Sequence, residues 1–377
     1  MDSHLRVLIV SDLNPKSGWG RAALVLSKSL VNYGFEVLLF PIHGSRKKVP
    51  PDIAIISTEE FAVLRETKFF ELIIHFDLPS SWMKYKYAKS IGYFFWESGS
   101  LPKNYLRNFQ NVDQIWVPSN WQKKLILSYS PQERVFKVPI PLTQMTQFHK
   151  EMTPKMLNTE DYVLWMGTLE PRKGLRFFLR EWKEYKSNGG QQALKLKVSS
   201  NNVTHTPEDI KTIVSALLGE LAIQKKYLNS FNGLYSSLPQ KDIESLYSNA
   251  KSVVGSSFGE GFGFVPVDGV MSGISVFWPS NTATQEWIPL GTDGAIECIR
   301  YSSFLKGDQT LYENPVWYPP KEGSIETALW KSEKMLEIDA INMREIQLRN
   351  LTDYIKSTEI EMALTEVGLR DRSGSKK

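Results

Sequence analysis

Short apolar runs of strand length, each followed by a polar or glycine-bearing turn and then by a segment of helical periodicity, recur along this 377-residue chain. Residues 6–11 read RVLIVS and lead into a glycine-bearing loop at 14–20. Ala23, Leu26 and Leu30 then repeat at intervals of three and four, Gly34 ends that helix, and residues 36–40, EVLLF, make a second strand. Strand, loop, helix, strand is the βαβ unit, which commits the chain to a parallel sheet covered on both faces: the doubly wound α/β class. Further short apolar strands are expected at 53–57, 72–75, 90–95 and 114–118. Periodicity is lost around Val138 to Pro141, and a polar connector runs to about Glu160. Residues 162–167, YVLWMG, then open a second sheet in the same style, with strands expected at 194–199, around 231–235, at Val253-Val254 and at 274–278.

The expected domains are therefore 1–150, a Rossmann-like unit, and 161–340, a second Rossmann-like unit. Residues 341–369 form terminal helices, and 370–377 a charged, disordered tail. Length permits two cores. A hydrophobic fraction of 42% with 23% charged residues describes an ordinary globular chain, and a net charge of +4 favours anionic ligands without arguing for nucleic acid. The single cysteine, Cys298, allows neither an internal disulfide framework nor a cysteine-based zinc site, so a reducing, cytoplasmic location is expected. The N-terminal apolar run is too short for a signal peptide, and no apolar stretch reaches the ~20 residues of a membrane span, so any membrane contact would be peripheral. Lys84-Tyr85-Lys86-Tyr87 could touch a lipid surface but reads first as a solvated amphipathic stretch.

In open α/β sheets ligands bind at the carboxyl ends of strands. Gly18-Trp19-Gly20 follows the first strand, but Ala23 replaces the third glycine of a dinucleotide fingerprint, and the second strand ends in Phe40-Pro41 with no acidic residue for an adenosine ribose. A nicotinamide or flavin cofactor is not expected. His75 and the Trp96-Glu97 pair stand at two other strand ends. Ser119 reads as the cap of a helix starting at Asn120 or Trp121. After the first strand of the second sheet, Arg172 and Lys173 precede Gly174 at a strand-to-helix turn. Cations there oppose the helix dipole, and an anionic ligand such as a diphosphate would resolve the conflict. In 255–286, Glu260-Gly261-Phe262-Gly263 follows a serine-rich strand exit, and a helix is expected to start near Pro266. Glycines there let backbone approach a ligand, and Asp268 follows Glu260 after seven residues, so two acids could face one polyhydroxy ligand.

Glu260, Gly261-Phe262-Gly263 and Asp268 resemble the donor motif of retaining glycosyltransferases of the GT-B fold, particularly glycosyltransferase family 4. Residues 96–102 and 113–119 are similar to the N-terminal domain of the same family, and Arg172-Lys173 to its basic pair. The resemblance implies two Rossmann-like domains facing across a cleft, with C-terminal helices crossing back to the N-terminal domain. It implies that Glu260 holds the donor sugar, Asp268 (one methylene shorter than the usual Glu) the ribose, and Arg172 and Lys173 the diphosphate. Gly18, Trp19 and Gly20 would cover the diphosphate, Leu234 would lie by the base, and Gly261, Phe262, Gly263 and Phe264 would line the donor pocket. His75, Trp96 and Glu97 would stand on the acceptor side, with Glu286 of Thr284-Gln285-Glu286 in a secondary role. The implied reaction moves a sugar from a nucleotide-diphosphate sugar (GDP-mannose or a UDP-sugar), a substrate rather than a cofactor, to a hydroxyl of a glycan, lipid-linked or protein-linked acceptor. Configuration is retained through same-face substitution. The sequence has no Asp-x-Asp motif, and the basic pair already serves the diphosphate, so metal-independent catalysis is expected. The alternatives are an inactive nucleotide-sugar-binding or assembly subunit and a nucleotide-sugar epimerase.

Overall fold

The structure is a computed structural model that describes residues 5–14, 17–42, 53–142, 162–200, 204–302 and 311–369. The connector at 143–161 and the tail at 370–377 lie outside the described residues. Two compact units emerge: Met1–Trp96, Ser100–Thr146 and Asp353–Lys377 form the first, Glu97–Gly99 and Gln147–Thr352 the second.

The first unit holds β1 (Arg6–Ser11), β2 (Glu36–Pro41), β3 (Ala54–Ile55), β4 (Leu72–Phe76), β5 (Lys89–Tyr93), β6 (Gln114–Val117) and β7 (Val135–Lys137). These pair in the order β3-β2-β1-β4-β5-β6-β7, all parallel. Val7, Leu8 and Ile9 of β1 have no exposed surface, which is why the run is continuously apolar rather than alternating. Helix α1 (Gly18–Asn32) buries Ala22, Ala23, Val25, Leu26 and Leu30. Gly18-Trp19-Gly20 is therefore the first helical turn, not part of a loop. Ser17 caps it, its Oγ accepting from Gly20 N (2.9 Å) and donating to Asp12 Oδ2 (2.6 Å). A Cβ on Gly20 would run into the Asn14 backbone, so the glycine allows helix and strand exit to approach. The strand expected at 53–57 shrinks to two residues because Ser57 forms a capping box with Glu60 and opens α2 (Thr58–Leu64). Helices α3 (Lys103–Asn108) and α4 (Asn120–Tyr129) complete the layer, the latter capped by Ser119.

The second unit repeats the scheme with β8 (Tyr162–Thr168), α5 (Leu175–Ser187), β9 (Ala193–Ser199), α6 (Pro207–Glu220), α7 (Lys225–Leu228), β10 (Phe231–Leu234), α8 (Gln240–Ser248), β11 (Ser252–Val254), α9 (Phe264–Met271), β12 (Ser275–Pro279) and β13 (Ala295–Ile296). Its parallel sheet runs β10-β9-β8-β11-β12-β13. Phe178, Trp182 and Leu179 of α5 pack with Trp165, Leu194, Leu196 and Val254 of the sheet, each side chain contributing roughly 1.5–3 kcal/mol on burial. A small antiparallel pair, β14 (Tyr301–Ser302) and β15 (Val316–Trp317), precedes α10 (Ser324–Lys334). The start of α10 is held by the buried Glu181 of α5, whose carboxylate accepts from the N–H groups of Gly323 (2.8 Å), Ile325 (3.0 Å) and Glu326 (3.0 Å). That places a negative charge on the positive end of the helix.

Two helices close the chain, α11 (Glu337–Lys356) and α12 (Ile360–Glu366). From Asp353 onward they belong to the first unit. Glu359 accepts from Lys123 Nζ and from Lys137 N–H, both at 2.7 Å, while Tyr354 Oη donates to Pro118 O (2.7 Å) and Gln114 Nε2 to Ala363 O (3.1 Å). Among the described residues no helix is long and apolar enough to cross a membrane.

Candidate functional site

In the second sheet, β8 is followed by β9 on one side and β11 stands on the other, so the strand order reverses between β8 and β11. Such a switch point leaves a crevice at the carboxyl ends of the two strands. Both basic and acidic motifs are delivered there. The exit of β8 forms a 3₁₀ turn, Pro171–Lys173, and reaches α5 through Gly174 in the left-handed region (φ 70°). The exit of β11 runs through Ser256 to Glu260. The two exits are stapled: Phe258 N donates to Arg172 O (2.7 Å), Ser256 Oγ to Lys173 O (2.9 Å), and Trp165 Nε1 to Ser256 Oγ (3.0 Å).

Lys173 Nζ bridges both oxygens of Glu260, at 2.7 and 2.8 Å. Arg172 stands among three carboxylates: Glu170 at 2.9 Å, Glu97 at 3.3 Å and Glu260 at 3.9 Å, with Nη1 also donating to Gly259 O at 3.2 Å. Side-chain exposure of Arg172 is only 12% and of Glu260 10%, so these charges act through little solvent. Burial opposes the Arg172 charge, but Glu97, Tyr312, Glu170 and Glu260 outweigh it and hold the guanidinium well above its ordinary value. Burial also raises the Glu97 carboxyl; Arg172 and Lys173 pull it back, and Glu170 and Glu260 push it further up, leaving it above the usual carboxylate range. Glu170 is likewise penalised by burial, yet Arg172, Lys173 and a bond from Thr168 keep it below that range.

Glu260 is fixed by Thr282, whose hydroxyl accepts from Glu260 N and donates to Glu260 O, both at 2.8 Å. Thr282 itself adopts φ 42°, unusual for a β-branched residue. Asn281 Nδ2 ties Ser257 O (2.9 Å) to Tyr318 O (2.8 Å). Beyond Glu260, Phe262 is buried against Phe264 (5.0 Å between centroids), and Gly263 (φ 89°) starts α9 without a side-chain cap. The helix expected near Pro266 begins at Phe264. Glu260 consequently lies in the loop, and the interval to the buried Asp268 holds little more than one turn of α9.

Leu234 ends β10, the outermost strand, two strands from β8. Glu286 ends a 3₁₀ turn, Thr284–Glu286, after β12. Gly18, Trp19, Gly20, His75 and Trp96 belong to the first unit. There Trp19 packs on Phe76 and Phe95, with centroids 5.6 and 5.0 Å apart, and Trp96 is buried with its indole N–H donated to Ser100 O (2.6 Å). His75, 3% exposed, stacks on Tyr85 at 5.5 Å, and burial pushes its imidazole down to about 4. Tyr85 is thereby turned inward, while Lys84, Lys86 and Tyr87 beside it are exposed. Glu97 belongs to the second unit although Trp96 and Ser100 belong to the first. The sequence reading did not single out Glu170, Asn281, Thr282 or Tyr312. Glu170 stands two residues before Arg172 and could have been found as its partner; the others carry no local signal. Among the described residues no group of three His, Cys, Asp or Glu side chains is arranged to hold a metal ion.

No family model matches the chain, and no curated protein matches its sequence. Solved structures do match its fold. An E. coli trehalose-6-phosphate structure bound with UDP-2-fluoro glucose aligns over 96% of this chain and 98% of its own, with a TM-score of 0.63 and 11% identity. The alpha,alpha-trehalose-phosphate synthase (UDP-forming) of Burkholderia xenovorans, in complex with glucose-6-phosphate, aligns over 96% and 99%, with a TM-score of 0.65 and 7% identity. The chain has the GT-B fold. A mutant of S. aureus TarM, in complex with fondaparinux, alpha-GlcNAc-glycerol and UDP, aligns over 82% of this GT-B chain and 56% of its own, with a TM-score of 0.55 and 13% identity.

Proposed function

We propose that the chain is a retaining glycosyltransferase that moves a hexose from a nucleotide-diphosphate sugar to an acceptor hydroxyl. The observation that carries this reading is the convergence of Arg172, Lys173 and Glu260 at the β8/β11 switch point, on turns fixed by backbone bonds. Breaking the bond between the anomeric carbon and the diphosphate sends an electron pair to the β-phosphate oxygen. Two preorganised cations at that oxygen stabilise the developing charge, and a guanidinium and an ammonium suit it as a bidentate and a point donor. The acceptor oxygen bonds to the same face of the anomeric carbon and its proton passes to the departing phosphate, so no covalent carboxylate intermediate is invoked. Glu260 holds hydroxyls of the reacting sugar, Asp268 the ribose, Leu234 the base side, and residues 261–264 the pocket wall. No metal is required in this scheme because the cation pair does the electrostatic work. The UDP ligands named for two of the similar structures make a UDP-sugar the first donor to test, ahead of GDP-mannose. The acceptor is a glycan or a lipid- or protein-linked sugar met in the cytoplasm or at a membrane surface.

Incubation with UDP- and GDP-sugars and a panel of acceptors, with analysis of nucleotide and sugar products, tests the reading. Acceptor-dependent release of free nucleotide is expected. An altered nucleotide sugar would mark an epimerase, and binding without turnover an assembly subunit. Glu260→Gln should lower kcat by about 100-fold or more while nucleotide still binds; unchanged turnover would remove Glu260 from the chemistry.

A further inference from the structure

The cation pair is neutralised within the protein itself. With every group ionised, Arg172 and Lys173 face Glu97, Glu170 and Glu260, two positive charges against three negative. A diphosphate carrying two more negative charges has to displace at least one of these carboxylates or neutralise it.

The structure distinguishes the three. Glu260 is engaged at both oxygens by Lys173 and fixed at its backbone by Thr282. Glu170 is bonded by Thr168 and sits beside Arg172 Nε. Glu97 is ion-paired at one oxygen with Arg172 Nη2, and its second oxygen accepts from Tyr312 Oη at 3.2 Å. Its backbone is nevertheless built firmly into the second unit. Gly99 N donates to Val316 O (2.8 Å), Ser98 Oγ accepts from Val316 N (3.0 Å), and Gly259 lies so close to the Glu97 carbonyl that a Cβ there would collide with it. Tyr312 is buried, its ring 4.7 Å from that of Trp317 in β15. Its hydroxyl can donate to a carboxylate and, after rotating, accept from a carboxylic acid, so the arrangement tolerates both protonation states of Glu97.

We propose that Glu97 is the internal counter-ion of the donor site, yielding Arg172 to an incoming diphosphate by taking a proton from solvent, with Tyr312 as the residue that positions it in both states. This rests on the donor-site reading above, and it moves Glu97 from the acceptor side to control of donor affinity. The charged groups facing Glu97 are Arg172, Lys173 and Glu170 from the β8 exit and Glu260 from the β11 exit, with the Tyr312 hydroxyl opposite. Its carboxyl, already raised by burial, is raised further when a diphosphate takes over Arg172, so ligand and proton bind together.

Calorimetric titration of the full chain with UDP-glucose and with GDP-mannose tests this. Their diphosphate is a diester that keeps its charge between about pH 5 and 8, so any proton taken up belongs to the protein. Titrations in two buffers of different ionisation enthalpy give the proton count. The expected wild-type result is uptake of up to about one proton per nucleotide sugar and affinity that improves as pH falls. Glu97→Gln should abolish the uptake and bind at least about tenfold more tightly at about pH 8, and Tyr312→Phe should keep binding while shifting its pH profile. Wild-type binding with no proton uptake overturns the proposal whether or not the variants fold. So does uptake unchanged in Glu97→Gln, or weaker binding by that variant. Absence of binding by wild type and every variant overturns the donor-site reading and the proposal with it, a result distinct from binding that depends on Arg172 and Lys173 but ignores Glu97.

Discussion

Gly174 joins the basic turn to α5, and its replacement by alanine tests whether the backbone staple between the two strand exits supports the cation pair. At φ 70° an alanine sits in the left-handed region, at a cost of about 1–2 kcal/mol. Its Cβ would also run into the Ser256 carbonyl oxygen, a backbone atom. Relieving that contact separates the turns and puts two hydrogen bonds at risk, Phe258 N to Arg172 O and Ser256 Oγ to Lys173 O, together worth about 2 kcal/mol. The sum is roughly 3–4 kcal/mol. Gly189 supplies the control, for it has φ 98° but nothing within 4 Å of an added Cβ, so Gly189→Ala carries strain alone, about 1–2 kcal/mol. For a unit of this size, thermal unfolding by circular dichroism should show a loss of about 10 °C for Gly174→Ala and about 4 °C for Gly189→Ala. Nucleotide-sugar affinity should fall in the first variant only. Equal Tm losses, or a Gly174→Ala protein that binds nucleotide sugar as wild type does, would refute the argument that the staple holds the basic pair in place.

Protonating His75 in the unfolded chain but not in the fold gives a second outcome. Its folded value, about 4, lies below the ordinary 6.5, so its contribution is intact above about pH 6.5 and is lost as pH falls toward 4, up to about 3 kcal/mol. Urea unfolding of His75→Gln across that range should show a flatter pH dependence than wild type, and an unchanged slope would mean that other groups carry it. Glu181→Gln should destabilise the second unit by about 2–3 kcal/mol in denaturant titration, because a charge-assisted cap on three backbone donors is replaced by an amide able to accept at one oxygen. A loss under about 0.5 kcal/mol would show that α10 does not depend on that cap.

Strands β1, β2 and β8 were legible in the sequence because parallel strands buried on both faces are continuously apolar, and β9 was legible because Leu194, Leu196 and Val198 alternate along it and all three are buried. Leu175, Phe178 and Trp182 marked α5 by spacing, and all three are buried. Strand β3 was legible in place but not in length, and β13, β14 and β15 were not legible: each has two residues and is held by backbone pairing, which leaves no side-chain pattern. Gly18-Trp19-Gly20 read as a loop because glycine and tryptophan are indifferent helix formers, whereas Ser17 and close approach to Asn14 decide the matter. Arg172, Lys173 and Glu260 could be singled out because each sits beside a glycine turn at a strand end. Their mutual pairing could not, since 87 residues separate Lys173 from Glu260 and the fold alone joins them. Glu97 and Thr282 follow β5 and β12, and Tyr312 precedes β15, so only topology makes them neighbours.

The three residues Glu97–Gly99 make the two halves of this chain poor candidates for exchange by recombination. A crossover in the connector would hand the incoming C-terminal half a Glu97, Ser98 and Gly99 drawn from a different ancestor, and these residues must fit β15, Gly259 and Arg172. A C-terminal half expressed alone would begin without them. Lineages that shuffle such halves would therefore have to carry this tripeptide and its partners as one inherited set, and residues 96–100 become the place to look for co-inheritance with Arg172, Tyr312 and Val316.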